Sequence, residues 1–478
     1  MTTNVCREEY LSEKKEKFLK RFPAYHHTQI LDELRRTEYA RLDQGNHVYL
    51  DYTGGGLYAA SQVQEHSRWL LDQVLGNPHS TNPTSLAATK AIEQTRKDVL
   101  QFFNASADEY VCVFTQNASG ALKLIGEAYP FTSSSTYLLT FDNHNSVNGI
   151  REFARARGAK VVYSPVLPPE LRIDENALEQ HIQQVDKGSN HLFAYPAQSN
   201  FSGVQHDLSW VERAKAGGWD VLLDVAAFTP TNALDLSRVK PDFICLSFYK
   251  IFGYPTGIGA LIARHEAMEK LHRPWFAGGT ITVASVQGDR YYLQKGAEGF
   301  EDGTLNYLML PAVSIGLRHI TSIGYEVIHQ RLTDLTQYLL EELLALQHSN
   351  GRKLVRLYGP ADTRQRGATV TLNFYDRNGH FIDHRLVEAR ANECKISLRT
   401  GCFCNPGGGE VALGLTADKL NSCFIDHSFM TIDDFRRCID DKSSGAVRIS
   451  MGLVSSFEDV EALLTFARRF LDHTVEEV

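Results

Sequence analysis

The sequence predicts an α/β fold in two parts: a large, mostly parallel α/β/α sheet domain and a smaller α+β domain. Three observations predict it. The apolar runs between residues 110 and 246 are hydrophobic throughout rather than alternating, as expected for strands covered on both faces. Stretches with helical spacing separate them, the rhythm of a parallel sheet with crossover helices. Beyond about residue 310 that rhythm ends, and a long helical region gives way to strands, a helix and strands again. The expected division is an N-terminal helical segment over 1–48 belonging to the small domain, a large domain over 49–310, and the small domain over 311–478.

In order along the chain, residues 1–48 are charged and helical, with Leu31, Leu34 and Tyr39 on one side. Val48 to Asp51 is a short strand, and Tyr52-Thr53-Gly54-Gly55-Gly56 a flexible turn. Thr84–Phe103 is a helix, because Ile92, Val99 and Phe103 recur at spacings of seven and four. Strands follow at Tyr110–Thr115, Thr136–Phe141, Ala159–Ser164, His191–Tyr195, Asp220–Asp224 and Asp242–Leu246, with Gly257–Arg264 returning as another. The helical region after 310 reaches Leu346. Strands are expected at Lys353–Tyr358 and Ala368–Phe374, a helix near His384–Ala391, and strands near Lys395–Leu398 and Ala446–Met451. The last helix starts at Ser455 or Ser456, with Glu458 and Asp459 placed for a capping box.

The bulk composition narrows the function. The 478 residues are 43% hydrophobic and 22% charged, enough for a large core and more than one domain. A net charge of -8 with no dense Lys/Arg block argues against nucleic acid as a partner. No run of 18 apolar residues is present, so no membrane span is expected. Met1 to Phe22 is charged and lacks an apolar signal core, which predicts a cytoplasmic protein. The eight cysteines show no paired framework, so a reducing compartment and free thiols are expected. Cys6, Cys112, Cys245, Cys394, Cys423 and Cys438 read as packing residues.

The most informative segment runs Leu246-Ser247-Phe248-Tyr249-Lys250-Ile251-Phe252-Gly253-Tyr254-Pro255-Thr256-Gly257. A strand runs straight into Lys250, and an earlier apolar strand ends in Asp224. A lysine and an acid at two strand ends are what pyridoxal 5'-phosphate chemistry requires: the lysine holds the aldehyde as a Schiff base and the aspartate keeps the pyridine nitrogen protonated. Gln116-Asn117-Ala118-Ser119-Gly120 opens a helix after a strand and offers N–H groups to a phosphate, to which Ser247 adds a hydroxyl. His144 could stack on the ring and shuttle protons, and Asn200 could bond the ring's 3-oxygen. As isolated residues these two read as a loop histidine and a turn asparagine.

Arg399-Thr400-Gly401-Cys402-Phe403-Cys404-Asn405-Pro406-Gly407 puts a thiol on a Gly/Pro-rich loop suited to nucleophilic work. A zinc half-site is disfavoured by its single intervening residue, and no metal is expected. A Cys402–Cys404 disulfide remains open at this level. Arg448, in an apolar strand, either pairs with an acid or receives a carboxylate as a fork.

Together these segments resemble the class V branch of fold-type I pyridoxal-phosphate enzymes, the cysteine desulfurase group. Within it they look most like the N-terminal desulfurase-like domain of molybdenum cofactor sulfurases. The runs from Ser247 to Gly257 and from Arg399 to Gly407 carry the resemblance, with Asp224-Val225-Ala226-Ala227-Phe228. It implies a catalytic set of Lys250, Cys404 and His144. It implies that Asp224, Asn117, Ala118, Ser247 and Asn200 hold the cofactor, and that Arg448, Asn200 and Arg399 hold the substrate. Cys404 aligns with the persulfide-carrying cysteine, and Cys402 with the extra cysteine of the sulfurase subgroup. Gly278-Gly279-Thr280 and Glu301-Asp302-Gly303-Thr304-Leu305-Asn306 resemble segments near a dimer interface, where a threonine, Thr280, can reach the phosphate held by the partner subunit.

The resemblance therefore implies a homodimeric L-cysteine desulfurase that passes sulfur to an acceptor protein or a molybdenum cofactor. Two features depart from it. Molybdenum cofactor sulfurases carry a further C-terminal module, and this sequence ends at Val478. Ala227 stands where many desulfurases have glutamine. Two other readings of the residues stay open. One is a pyridoxal-phosphate carbon–sulfur lyase, or another β-elimination, decarboxylation or aldol-type enzyme. The other is a non-catalytic sulfur carrier or scaffold.

Overall fold

The computed structural model describes residues 2–186, 188–424, 431, 434, 438 and 445–478, with side chains from Tyr10 onward. Its strands are, in chain order, β1 (Val48–Tyr49), β2 (Tyr110–Thr115), β3 (Thr136–Thr140), β4 (Lys160–Ser164), β5 (Val166–Leu167), β6 (Arg172–Ile173), β7 (His191–Pro196), β8 (Trp219–Asp224), β9 (Phe243–Ser247), β10 (Gly259–Arg264), β11 (Ile281–Ser285), β12 (Arg290–Leu293), β13 (Val355–Tyr358), β14 (Thr369–Phe374), β15 (Ile396–Ser397), β16 (Arg399–Gly401) and β17 (Ala446–Ser450).

Seven of them form one sheet in the order β2-β10-β9-β8-β7-β3-β4. All neighbours are parallel except β10, which runs antiparallel to both β2 and β9. The uninterrupted hydrophobic runs have the predicted cause: every residue of β7, β8 and β9 is buried. Two apolar clusters flank the sheet, because side chains alternate between its faces. Val113, Leu139, Ala194, Leu222 and Cys245 join the helix Ala118–Ala128 on one face. Phe114, Leu138, Phe193, Val221 and Ile244 face the other. Parallel strands reached by crossovers bring the C-terminal ends of β2, β3, β7, β8 and β9 to one edge, so the loops carrying Asn117, His144, Asn200, Asp224 and Lys250 leave from that edge.

A second sheet, β13-β14-β17-β16, is antiparallel throughout. The strand expected near Lys395–Leu398 divides in two. β15 pairs in parallel with β1, and the chain then switches so that β16 pairs with β17. The helical region after 310 also divides, into Leu310–Ile323 and Tyr325–Ala345. Gly324, at φ +85°, makes the break that a side chain would strain.

The N-terminal helix Thr2–Arg21 packs on the C-terminal end of the chain. The Phe18 ring lies 4.9 Å from Phe457 and 5.1 Å from Tyr338, and Lys14 pairs with Glu461 at 2.8 Å. The last helix, Phe457–Ala467, carries the predicted capping box between Ser456 and Asp459.

The cysteines require one correction. Cys112 and Cys245 are buried thiols as expected, but Cys423 and Cys438 are joined by a disulfide. Their pairing links residues 15 apart on either side of a connection whose path the sequence spacing did not reveal. Cys6 lies outside the residues whose side chains are described. Among the described residues no helix is long and apolar enough to cross a membrane. No group of three or more His, Cys, Asp or Glu among them could hold a metal ion.

Candidate active site

The loops leaving the common sheet edge enclose a cavity of about 170 Å³. Asn117, Ala118, His144, Asn200, Asp224, Ala227, Ser247 and Lys250 line it, with neighbours. One end is the start of the helix Ala118–Ala128. Asn117 caps this helix by accepting from the Gly120 N–H at 2.9 Å, and the Ala118 N–H donates to Ser247 Oγ at 2.8 Å. A Cβ at Gly259 would lie 2.5 Å from the Asn117 carbonyl carbon, so only glycine lets β10 approach this turn. A helix start with its positive dipole end, and the Ser247 hydroxyl beside it, suit a phosphate.

Lys250 follows β9 on the short helix Phe248–Phe252. Burial holds its amine below the ordinary lysine value of 10.5. The Asp224 carboxylate opposes that shift, and the Arg448 and Arg399 guanidiniums add to it. An amine that is readily neutral is a competent nucleophile toward an aldehyde. Asp224 ends β8, is 8% exposed, and accepts from the Ala226 N–H at 3.0 Å. His144 accepts from the Ser146 N–H through Nδ1 at 3.1 Å. Burial lowers its pKa below 6.5, and Lys250 and Arg448 add to the effect, so the imidazole is neutral near pH 7.

The cysteine loop follows β16 of the second sheet and is tied to the cavity through Asn200. Cys402 and Cys404 are both exposed free thiols. Phe403 and Cys404 have φ of +56° and +55°, a conformation that costs non-glycine residues about 1–3 kcal/mol each. Three asparagines hold it. The Asn145 N–H donates to the Cys404 carbonyl at 2.7 Å, and Asn200 Nδ2 donates to the Phe403 carbonyl at 2.7 Å. Asn405, fully buried, donates to the Asp142 carbonyl at 2.6 Å and to Asn200 Oδ1 at 2.9 Å, and accepts from the Gly408 N–H at 3.0 Å.

Arg448 pairs with an acid, the first of the two possibilities. One terminal nitrogen donates to Asp51 at 2.9 Å, the other to the Asn200 carbonyl at 3.1 Å, and its buried Nε has no partner. The guanidinium lies 4.8 Å from the Phe403 ring centre. Arg399 grips the same Asp51 at 2.6 to 3.2 Å.

Lys250, Asp224, His144, Asn117, Ala118, Ser247 and Asn200 thus share one cavity, with Arg448, Arg399 and Cys404 beside it. Thr280 does not join them. It is fully buried, and its hydroxyl is used within its own turn, donating to the Ala277 carbonyl at 2.8 Å. Asp51 and Asn405 were missed as functional residues. The signal for Asp51 was an acid ending a short strand just before three glycines, and for Asn405 its place beside the cysteine.

The arrangement fits pyridoxal phosphate: a lysine of depressed basicity, a carboxylate, a neutral imidazole, and a hydroxyl and helix start at the far end. Residues 48–463 match the family described as aminotransferase class-V. The chain is 37% identical to the molybdenum cofactor sulfurase of Solanum lycopersicum over 95% of its own length and 59% of that protein's. It is 37% identical to the one of Homo sapiens over 91% and 51%. It therefore spans between half and three fifths of these relatives. A solved cysteine desulfurase of Thermococcus onnurineus superposes with a TM-score of 0.75 at 24% identity, over 92% of this chain and 98% of that one. The match across nearly the whole chain, with the cavity found at the sheet edge, leads to one conclusion: this protein belongs to the aminotransferase class-V family.

Proposed function

We propose that the chain is a pyridoxal-phosphate-dependent cysteine desulfurase of the molybdenum cofactor sulfurase type, taking sulfur from L-cysteine onto Cys404 and releasing alanine. The observation that carries this is the exposed Cys404 thiol on a loop whose strained backbone is secured by Asn145, by Asn405 and by Asn200, which lines the cavity of Lys250. Neither a simple lyase nor a scaffold has use for a nucleophile secured there. The sulfurase names of the relatives support the same reading.

When bound, pyridoxal phosphate supplies an electron sink that acidifies the substrate Cα–H. Lys250 Nζ is its covalent anchor and the base that carries the Cα proton. Asp224 holds the proton on the ring nitrogen. Asn117, Ala118 and Ser247, at the helix start, would hold the phosphate. His144 and Asn200, which line the same cavity, would flank the ring. Arg448, through its unpartnered Nε, and Arg399 orient the substrate carboxylate. The Cys404 thiolate then attacks the substrate sulfur. An S–S bond forms as Cβ–S breaks, the electron pair stays on Cβ, and a proton completes alanine. No external oxidant enters, because the substrate carbon is reduced as the two sulfurs join. The persulfide passes to an acceptor, an acceptor protein or a molybdenum cofactor.

We also propose a homodimer, with Gly278–Thr280 and Glu301–Asn306 at its interface. Residues 1–48 and 311–478 form a small domain beside the large domain of 49–310. Gln116, Gly120, Asp302 and Thr304, in and beside those segments, line a cavity of about 230 Å³.

The test measures sulfide and alanine together from L-cysteine and a reductant, in wild type and Cys404→Ala. Equal amounts of both, lost in the variant, support the proposal. Sulfide accompanied by pyruvate, or activity surviving the substitution, refutes it in favour of a lyase.

A further inference from the structure

Arg399 and Arg448 are direct cross-strand partners in β16 and β17, an arrangement in which like charges repel. Between them stands Asp51, only 8% exposed, with Oδ1 on Arg448 at 2.9 Å and Oδ2 on Arg399 at 2.6 Å. Its position is set by backbone pairing: the Ser450 N–H donates to the Leu50 carbonyl at 2.8 Å, and the Tyr52 N–H to the Ser450 carbonyl at 3.2 Å. The turn that follows is built around the carboxylate. A Cβ at Gly54 would lie 2.6 Å from Asp51 Oδ2 and 2.8 Å from the Arg399 guanidinium. Two cations and one anion leave a single net positive charge, and one buried N–H of Arg448 remains unused.

We propose that Asp51 is the specificity-determining residue that restricts this site to amino acids carrying one anionic group. It is a positioning residue: it fixes both guanidiniums and occupies the donor capacity that a second carboxylate would need. Without it, two neighbouring guanidiniums with free donors form a receptor for a dianion. A dicarboxylic amino acid brings a second negative charge to a cluster whose single net positive charge its first carboxylate already balances. The inference rests on the desulfurase reading and names the substrate class of that same site.

The test uses the holoenzyme and measures the dissociation constants of L-alanine and L-aspartate by calorimetry and by perturbation of the cofactor's absorbance. These ligands differ by one carboxylate. Wild type is expected to favour alanine. In Asp51→Asn the ratio of the aspartate constant to the alanine constant is expected to fall at least about ten-fold, the worth of one charge-assisted hydrogen bond. Asp51→Glu is expected to keep the wild-type direction. Gly54→Ala, which leaves the carboxylate in the chain but displaces it, is expected to shift the ratio as Asp51→Asn does. An unchanged ratio in Asp51→Asn, or a parallel loss of both ligands, overturns the inference and leaves the desulfurase reading intact. A wild-type holoenzyme that responds to no amino acid overturns both.

Discussion

Replacing Asn405 with alanine isolates the contribution of the loop that carries the nucleophile. The side chain makes three hydrogen bonds from a fully buried position: to the Asp142 carbonyl, to Asn200 Oδ1 and from the Gly408 N–H. At about 1 kcal/mol net each, they contribute about 3 kcal/mol. Opposing them is the left-handed backbone of Phe403 and Cys404, at about 1–3 kcal/mol per residue. The two sums are comparable, so deleting the asparagine releases the loop from its present geometry. A loss of about 3 kcal/mol from the attack-competent arrangement corresponds to about 100-fold in the sulfur-transfer rate. Asn405 does not line the cavity, so cofactor content should be unchanged. The assay is single-turnover formation of the Cys404 persulfide, followed by alkylation and mass spectrometry, with alanine release measured in parallel. A rate within about two-fold of wild type would refute the reasoning, as would a loss of cofactor instead of rate.

Three further outcomes are expected. In the cofactor-free protein, Lys250 has a folded pKa below 10.5 because of burial, so the unfolded chain binds more protons and stability rises as pH approaches 10.5 from below. Lys250→Met should therefore be more stable than wild type near pH 7, with the difference shrinking as pH rises; thermal unfolding across that range checks it. Ser247→Ala removes the acceptor of the Ala118 N–H and a hydroxyl at the phosphate end. It should weaken cofactor affinity about ten-fold in equilibrium dialysis, without affecting Cys404 alkylation. Cys423→Ser opens a loop of 15 residues, which should lower unfolding free energy by about 3 kcal/mol in denaturant titration; wild type should lose the same amount on adding dithiothreitol.

The sequence by itself determined the sheet and the chemistry that leaves its edge. The central strands β7, β8 and β9 were legible because burial on both faces demands unbroken apolar runs. Lys250, Asp224, Ser247 and the Asn117 turn were legible because each directly follows an apolar strand, and parallel topology brings those ends together. The β11–β12 hairpin was not legible: Val283 and Val286 face solvent there, so no burial pattern marked it. Tertiary structure alone decided the rest. Asp51 meets Arg448 across 397 positions, Asn405 meets the Asp142 carbonyl across 263, and the Thr280 hydroxyl turns inward to its own loop. These contacts depend on how the second sheet docks on the first. Residue spacing encodes the period of a helix or strand, but it carries no record of which distant segments will share a surface.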